Sequence, residues 1–239
     1  ILTANRNSLQ LFDMLHSMRQ FDDLTYVHSV NVALIASILG QWLKFSEKDI
    51  RILTISGLLH DIGKIMIPNE ILTKPGKLTV AEYNIMKQHV NFGYEKVKNQ
   101  NIDIRIKEAC LLHHEKCDGT GYPFGLKSDH IPAVAKIIAI ADVYDAMTSA
   151  RVYRGALCPF EVIDTMYKDA FTKFEPEYIL PFLKNVASSY INNDVRLSDG
   201  RIGKVVLINE NALSLPIVQC EDEFIDLSKT RELTVSAIL

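Results

Sequence analysis

Residues 50–64, IRILTISGLLHDIGK, decide the fold of this chain. Ser46 with Asp49 three residues later resembles a capping box and precedes an apolar helical run, which delivers His60-Asp61 at its end. Gly63 then breaks the pattern. An imidazole and a carboxylate at the end of an apolar helix are costly in an interior unless they find partners, and a polyvalent metal is the strongest partner available.

Working outward, residues 29–43 (SVNVALIASILGQWL) are apolar nearly all round, which predicts a central buried helix just after His28. On the other side, Pro68 and Pro75-Gly76 mark an irregular connection over 62–78. Thr79 and Glu82 form a cleaner capping box, starting a helix that should carry His89 about three turns in. A further helix ends in His113-His114, and DGTGYPFGL (118–126) has the composition of an ordered loop that a ligand can approach closely. Pro132 suits the first turn of a helix running through Asp142 and Asp145; Pro159 and Pro176 suit two more helix starts, and Pro181 should kink or restart the last.

From Val195 the texture changes to short β-rich runs separated by turn residues. The expected architecture is mainly α, a helical domain over 1–192 followed by a small β-rich module over 193–239. Some 45 residues of strand cannot build a large core alone, so that module should pack against helices.

Composition narrows the function. The 239 residues are 48% hydrophobic and 23% charged, as in a globular protein, and Lys+Arg 26 against Asp+Glu 29 gives a net charge of −3. With no polybasic block, polymeric nucleic acid and anionic membranes are not expected partners. No apolar run approaches the roughly 18–20 residues of a membrane span. The four cysteines lack CxxC spacing and read as free thiols of a cytoplasmic protein, with Cys117 a minor candidate for a soft metal ligand. The chain begins at Ile1 rather than Met, as a fragment lacking its natural N-terminus would.

Taken singly, each histidine has an ordinary reading: His28 as a satisfied core residue, His60-Asp61 as chance, His113-His114 as a loop pair. Together, His28, His60, His89, His113, His114, Asp61 and Asp142 lie at or within apolar-flanked helices. Imidazoles with carboxylates suit Fe, Mn, Co, Ni or Zn. Seven ligands exceed one catalytic zinc site, which takes about three, and fit two adjacent metals with one carboxylate bridging. His16 and His130 match no such pattern.

The segments HDIGKIMIPNEIL, MKQHVNFG, HHEKCDGTGYPFGL and IADVYDAMTSARVYR closely resemble the signature of the HD-GYP family, cyclic di-GMP phosphodiesterases within the HD metal-dependent phosphohydrolases. The resemblance runs from about Tyr26 to Leu183 and implies an HD-type helical bundle. It also implies the same seven metal ligands, with Asp61 as the bridge, and two divalent metal ions, iron or manganese ahead of nickel, cobalt or zinc. Two such ions clamp a phosphodiester and acidify a bridging water, giving a hydroxide for in-line attack on phosphorus.

The resemblance further implies roles for single residues. Lys64 matches the family's HDxGK lysine and would stabilise the leaving 3′ oxygen. Asp145, one turn after Asp142, would orient Lys64 or a ligand histidine, or form a surface salt bridge. Arg151 and Arg154 fall at phosphate-binding positions. Gly121, Tyr122 and Pro123 form the GYP loop, for contact with guanine or with a diguanylate cyclase domain. Cyclic di-GMP is then the expected substrate, opened to pGpG and further to GMP. Another cyclic dinucleotide or nucleotide stays open, as does a binding module with little turnover. So do a homodimer and a sensor domain before Ile1. Some family members hold a third metal through a glutamate four residues before the first histidine. Leu24 stands there, which predicts two metals.

Overall fold

The computed structural model describes residues 13–149, 157–230 and 232–239, which divide into two compact units. One unit runs to Ala146 and takes in Thr172–Phe174; the other holds Met147–Phe171 and Glu175–Leu239. Helices dominate up to Ser189 and strands begin at Asp194, the mainly α pattern with a small C-terminal sheet.

In the first unit, α1 (Asp23–Trp42) starts at Asp22, whose side chain accepts from Leu24 N and Thr25 N. It packs along α2 (Glu47–Leu59) at its closest where Gly57 meets Ala33: a Cβ on Gly57 would lie 2.5 Å from Ala33 Cα. By length and composition α1, with its 20 residues, can cross a bilayer, contrary to the expectation that no run is long enough. His28 and Asn31 interrupt its apolar stretch. Its apolar content is nevertheless core-forming: Val32, Ala33, Ala36 and Leu39 are buried.

After α2 the chain tightens into a 3-10 turn (Ile62–Met66) and a short α3 (Asn69–Leu72). The capping box at Thr79 and Glu82 is present and opens α4 (Val80–Met86). That helix does not continue to His89. Gln88 N donates to Ile85 O, a 3-10 pattern, and α5 (His89–Val97) starts afresh at His89 itself. The cause lies in the neighbouring turn, because α5 packs so tightly on the 3-10 turn that a Cβ on Gly63 would fall 1.9 Å from His89 O. Next come α6 (Ile104–Leu112) and the loop 113–132 with its 3-10 turn Ser128–His130. Last is α7 (Ala133–Thr148), in which Val134, Ala135 and Ile137 to Ala141 are all buried.

In the second unit, α8 (Pro159–Asp169) and α9 (Pro176–Ser189) each begin with proline at the first helical position. Of the two outcomes expected at Pro181, a kink or a restart, the restart does not occur: α9 runs through it. Near the helix start it removes a single hydrogen bond, and buried Ile179, Phe182 and Leu183 hold the turn in place. The antiparallel sheet comprises β1 (Asp194–Leu197), β2 (Ile202–Leu207), β3 (Ile217–Cys220), β4 (Glu223–Asp226) and β5 (Val235–Ile238), in the order β4-β3-β2-β1-β5. Val195, Leu197, Val205 and Val218 alternate with exposed or half-buried residues to form its buried face, and α8 packs near β5.

Candidate metal centre

Five helices or helix ends of the first unit bring the seven predicted ligands together. His28 comes from α1, His60-Asp61 from the end of α2, His89 from the start of α5, His113-His114 from the end of α6, and Asp142 from α7. They fall into two groups, Asp61 with His89, His113 and His114, and His28 with His60 and Asp142. Within each group one donor atom per residue lies within 4.8 Å of the others.

The tautomers follow from the backbone. His60 Nδ1 lies 2.7 Å from Gly57 O, His89 Nδ1 2.8 Å from Met86 O, and His113 Nδ1 2.9 Å from Ala109 O. A carbonyl only accepts, so each Nδ1 donates and the neutral ring presents a bare lone pair at Nε2. His89 Nε2 and His113 Nε2 then face each other at 3.4 Å, a repulsive pairing unless a cation lies between them. His60 Nε2 and Asp61 Oδ1 are buried with no hydrogen-bond partner. Orphaned buried polar atoms are rare because each carries a desolvation cost of about 1–3 kcal/mol.

Asp61 sits between the groups. Its Oδ1 is 3.3 Å from His89 Nε2, and its Oδ2 is 3.2 Å from His60 Nε2 and 3.6 Å from His28 Nε2. Lys64 reaches Asp61 Oδ2 at 2.6 Å from one turn away. Burial opposes ionisation of Asp61, but the Lys64 ammonium and His60 outweigh it and hold its carboxyl well below the usual range. Asp142 is also held low, burial again being overcome by the hydrogen bond from His28 and by His114.

The histidines split by environment. Burial pushes His89 and His113 down, and pushes His114 down to about 3. For His28 burial acts the same way, but hydrogen bonds to Asp142 and Asp145 prevail and raise it to about 9. A cation at its Nε2, 3.0 Å from Asp142 Oδ1, would take the place of that proton. Three lone-pair imidazoles, orphaned donor atoms and buried carboxylates are the donor set of a metal site, and these residues fit a divalent cation.

Asp145 Oδ2 lies 2.6 Å from His28 Nδ1, one of the ligand histidines, and its Oδ1 accepts from Asn31 Nδ2 at 2.9 Å. Asn31 went unnoticed in the sequence, although it lies on α1 one turn after His28, a spacing that could have flagged it. Cys117 is not in either donor group. Arg151 and Arg154 lie outside the described residues. Leu24, one turn before His28, is exposed.

The GYP loop is anchored from beneath. Buried Glu115 accepts backbone N–H groups of Phe124 (2.7 Å), Gly125 (3.2 Å) and Leu126 (2.9 Å). Gly121 passes so close to the chain that a Cβ would sit 2.5 Å from Glu115 Cα. Tyr122, adjoining a cis peptide bond to Pro123, stacks on His114 with ring centroids 4.7 Å apart. Nothing local in the sequence marks Glu115, because a lone glutamate after HH carries no short-range signal.

A sequence profile described as HD domain matches residues 10–178. The chain is 36% identical over 203 residues to the cyclic di-GMP phosphodiesterase PA4108 of Pseudomonas aeruginosa, covering 84% of this chain and 49% of that protein. It is 36% identical over 158 residues to the 3′3′-cGAMP-specific phosphodiesterase 2 of Vibrio cholerae, covering 65% of this chain and 30% of that protein. The chain thus spans half or less of these relatives. In fold it is similar to the HD domain of the L. monocytogenes phosphodiesterase PgpH, solved in complex with cyclic-di-AMP. That match has a TM-score of 0.57 and 18% identity, and covers 74% of this chain and 95% of that one.

Proposed function

The chain belongs to the HD domain family and carries the HD-GYP signature, and from that premise we propose that it is a metal-dependent phosphodiesterase opening cyclic di-GMP to linear pGpG, with GMP as the product of a second cleavage. One observation carries the reading: His60 Nε2 and Asp61 Oδ1 are buried without partners, beside His89 and His113 lone pairs set 3.4 Å apart. A divalent cation among these atoms would satisfy the orphaned donors and relieve the facing lone pairs together.

In this reading Asp61, His89, His113 and His114 would hold one cation, and His28, His60 and Asp142 the other. When bound, two divalent ions, iron or manganese ahead of nickel, cobalt or zinc, would supply positive charge to the phosphodiester and lower the pKa of a water. Leu24 offers no carboxylate for a third.

The remaining work falls to side chains. Lys64, whose ammonium lies 2.6 Å from Asp61 Oδ2, meets charge developing on the leaving 3′ oxygen and returns a proton to it. Asp145 acts through His28, holding the Nδ1 proton so that Nε2 faces the centre. Tyr122 lies where a guanine can stack, on a loop that Gly121 lets approach closely, and Pro123 completes that surface. Arg151 and Arg154 are assigned to substrate phosphates. Catalysis belongs to 1–192; the module over 193–239 carries none of the chemistry. We infer a cytoplasmic enzyme from its free thiols and its substrate. The GYP loop is also the surface assigned to a diguanylate cyclase domain, and a preceding sensor domain and a homodimer complete the partners inferred.

The test is protein reconstituted with Fe or Mn, incubated with cyclic di-GMP, with products separated by chromatography. Wild type should yield pGpG, Asp61→Ala should lose at least about 1,000-fold in rate, and elemental analysis should find about two metals per chain. Intact substrate with wild type under both metals overturns the reading, and three metals overturn the argument from Leu24. The similarity to a cGAMP-specific enzyme supports a second reading, a different cyclic dinucleotide. Competition between cyclic di-GMP and 3′3′-cGAMP decides between them through the ratio of kcat/KM.

A further inference from the structure

Lys87 occupies the tight turn between α4 and α5, two residues before His89. Its Nζ lies 5.4 Å from the centroid of the Tyr83 ring and 6.0 Å from that of Tyr122. The Tyr122 ring in turn stacks on His114 at 4.7 Å and meets His89 edge-on at 6.4 Å. The Tyr122 ring is thus in contact with this ammonium on one hand and with the donor histidines on the other.

The setting distinguishes Lys87 from its neighbours. Lys64 is bound to Asp61 and Lys74 to Glu82, each within 2.8 Å, whereas no carboxylate pairs with Lys87 among the described residues. Two aromatic faces steady the cation electrostatically and leave its N–H donors unspent. A half-buried, unpaired ammonium beside a catalytic centre is a ready site for an anion.

A cyclic dinucleotide carries two phosphates. The one that is cleaved belongs at the metal centre, and the charge of the other must be met nearby. We infer that Lys87 binds the second, uncleaved phosphate, with the Tyr122 ring between the two subsites. This rests on the proposed phosphodiesterase function and adds to it a substrate-positioning residue. The single turn between α4 and α5 serves both subsites, because it aims His89 inward and Lys87 toward the tyrosine.

The test compares wild type, Lys87→Gln and Lys87→Arg with cyclic di-GMP. For Lys87→Gln, KM should rise about tenfold, the worth of one charge-assisted contact, while kcat changes less than about threefold. Titration calorimetry of cyclic di-GMP into chelator-treated protein should give a similar rise in Kd, and Lys87→Arg should restore most of both. Raising salt should weaken binding less steeply in Lys87→Gln than in wild type. The inference is wrong if wild type turns over and Lys87→Gln keeps KM and Kd within about twofold. It is also wrong if kcat alone falls, or if Lys87→Arg behaves like Lys87→Gln. Wild type that neither hydrolyses nor binds the substrate instead removes the proposed function itself, and with it the ligand assigned to Lys87.

Discussion

His28 Nδ1 lies 2.6 Å from Asp145 Oδ2, across 117 residues of chain, while its Nε2 is 3.0 Å from Asp142 Oδ1. Two carboxylates on one face of α7 thus grip one imidazole at both nitrogens. Asp145 fixes the ring so that the other nitrogen is turned to the cluster, a contact that typically changes metal affinity by about 10–100-fold. Asp145→Asn should therefore weaken metal binding by that factor, measured by competition with a chromogenic chelator. Unchanged affinity would make Asp145 a bystander.

Glu115 ties down the loop above the cluster. In Glu115→Ala three backbone N–H groups lose a carboxylate acceptor, a loss of about 2–4 kcal/mol. Tm should fall by roughly 5–10 °C. Amide exchange at Phe124, Gly125 and Leu126 should accelerate more than elsewhere in the chain. Protection retained at these three amides would show that the loop holds itself.

Gly121 has no room for a methyl group, because the atoms a Cβ would meet are backbone atoms of Glu115, Lys116 and His114 at 2.5–2.6 Å. Gly121→Ala should cost about 1–3 kcal/mol and shift Tyr122 off His114, raising KM for cyclic di-GMP. Gly76 provides the contrast: its φ of +97° strains an alanine, but nothing lies within 4 Å. Gly76→Ala should lower Tm by a few degrees and leave KM alone. Equal effects on KM would contradict this distinction.

Acid should destabilise the metal-free protein. His114 is held to about 3 by burial against an ordinary 6.5, so below pH 6.5 the unfolded chain binds a proton that the folded one refuses. Folded stability then falls as pH drops, by about 1 kcal/mol at pH 5.5 from His114 alone. Buried His89 and His113 shift in the same direction. His28, raised to about 9 by Asp142 and Asp145 against its burial, has the opposite sign. Its contribution is complete below 6.5 and lost as pH rises through 9, so it offsets about one of the other three. Calorimetry in chelator should show Tm a few degrees lower at pH 5.5 than at 7.5; an equal or higher Tm would refute the assignment.

Much of the candidate site is legible locally. His60-Asp61 at the end of an apolar helix, the capping box at Thr79 and Glu82, and the glycines of 118–126 each announce themselves within a few residues, because capping and close backbone approach are short-range effects. The break at Lys87–Gln88 is not legible, since it answers to Gly63 pressing on His89 O from another segment.

By itself, then, the sequence determined the donor types, the loop beside them and the helices that carry them, except the separate helix that begins at His89. Only the tertiary structure decided that Asp145 meets His28, that Asn31 meets Asp145, that Glu115 anchors Phe124 to Leu126, and that Lys87 lies over the Tyr122 ring. Periodicity and spacing fix which face a residue occupies on its own helix. Which oxygen meets which nitrogen depends on how separate helices pack, and that packing is set by contacts such as Gly57 on Ala33, which lie 24 residues apart in sequence.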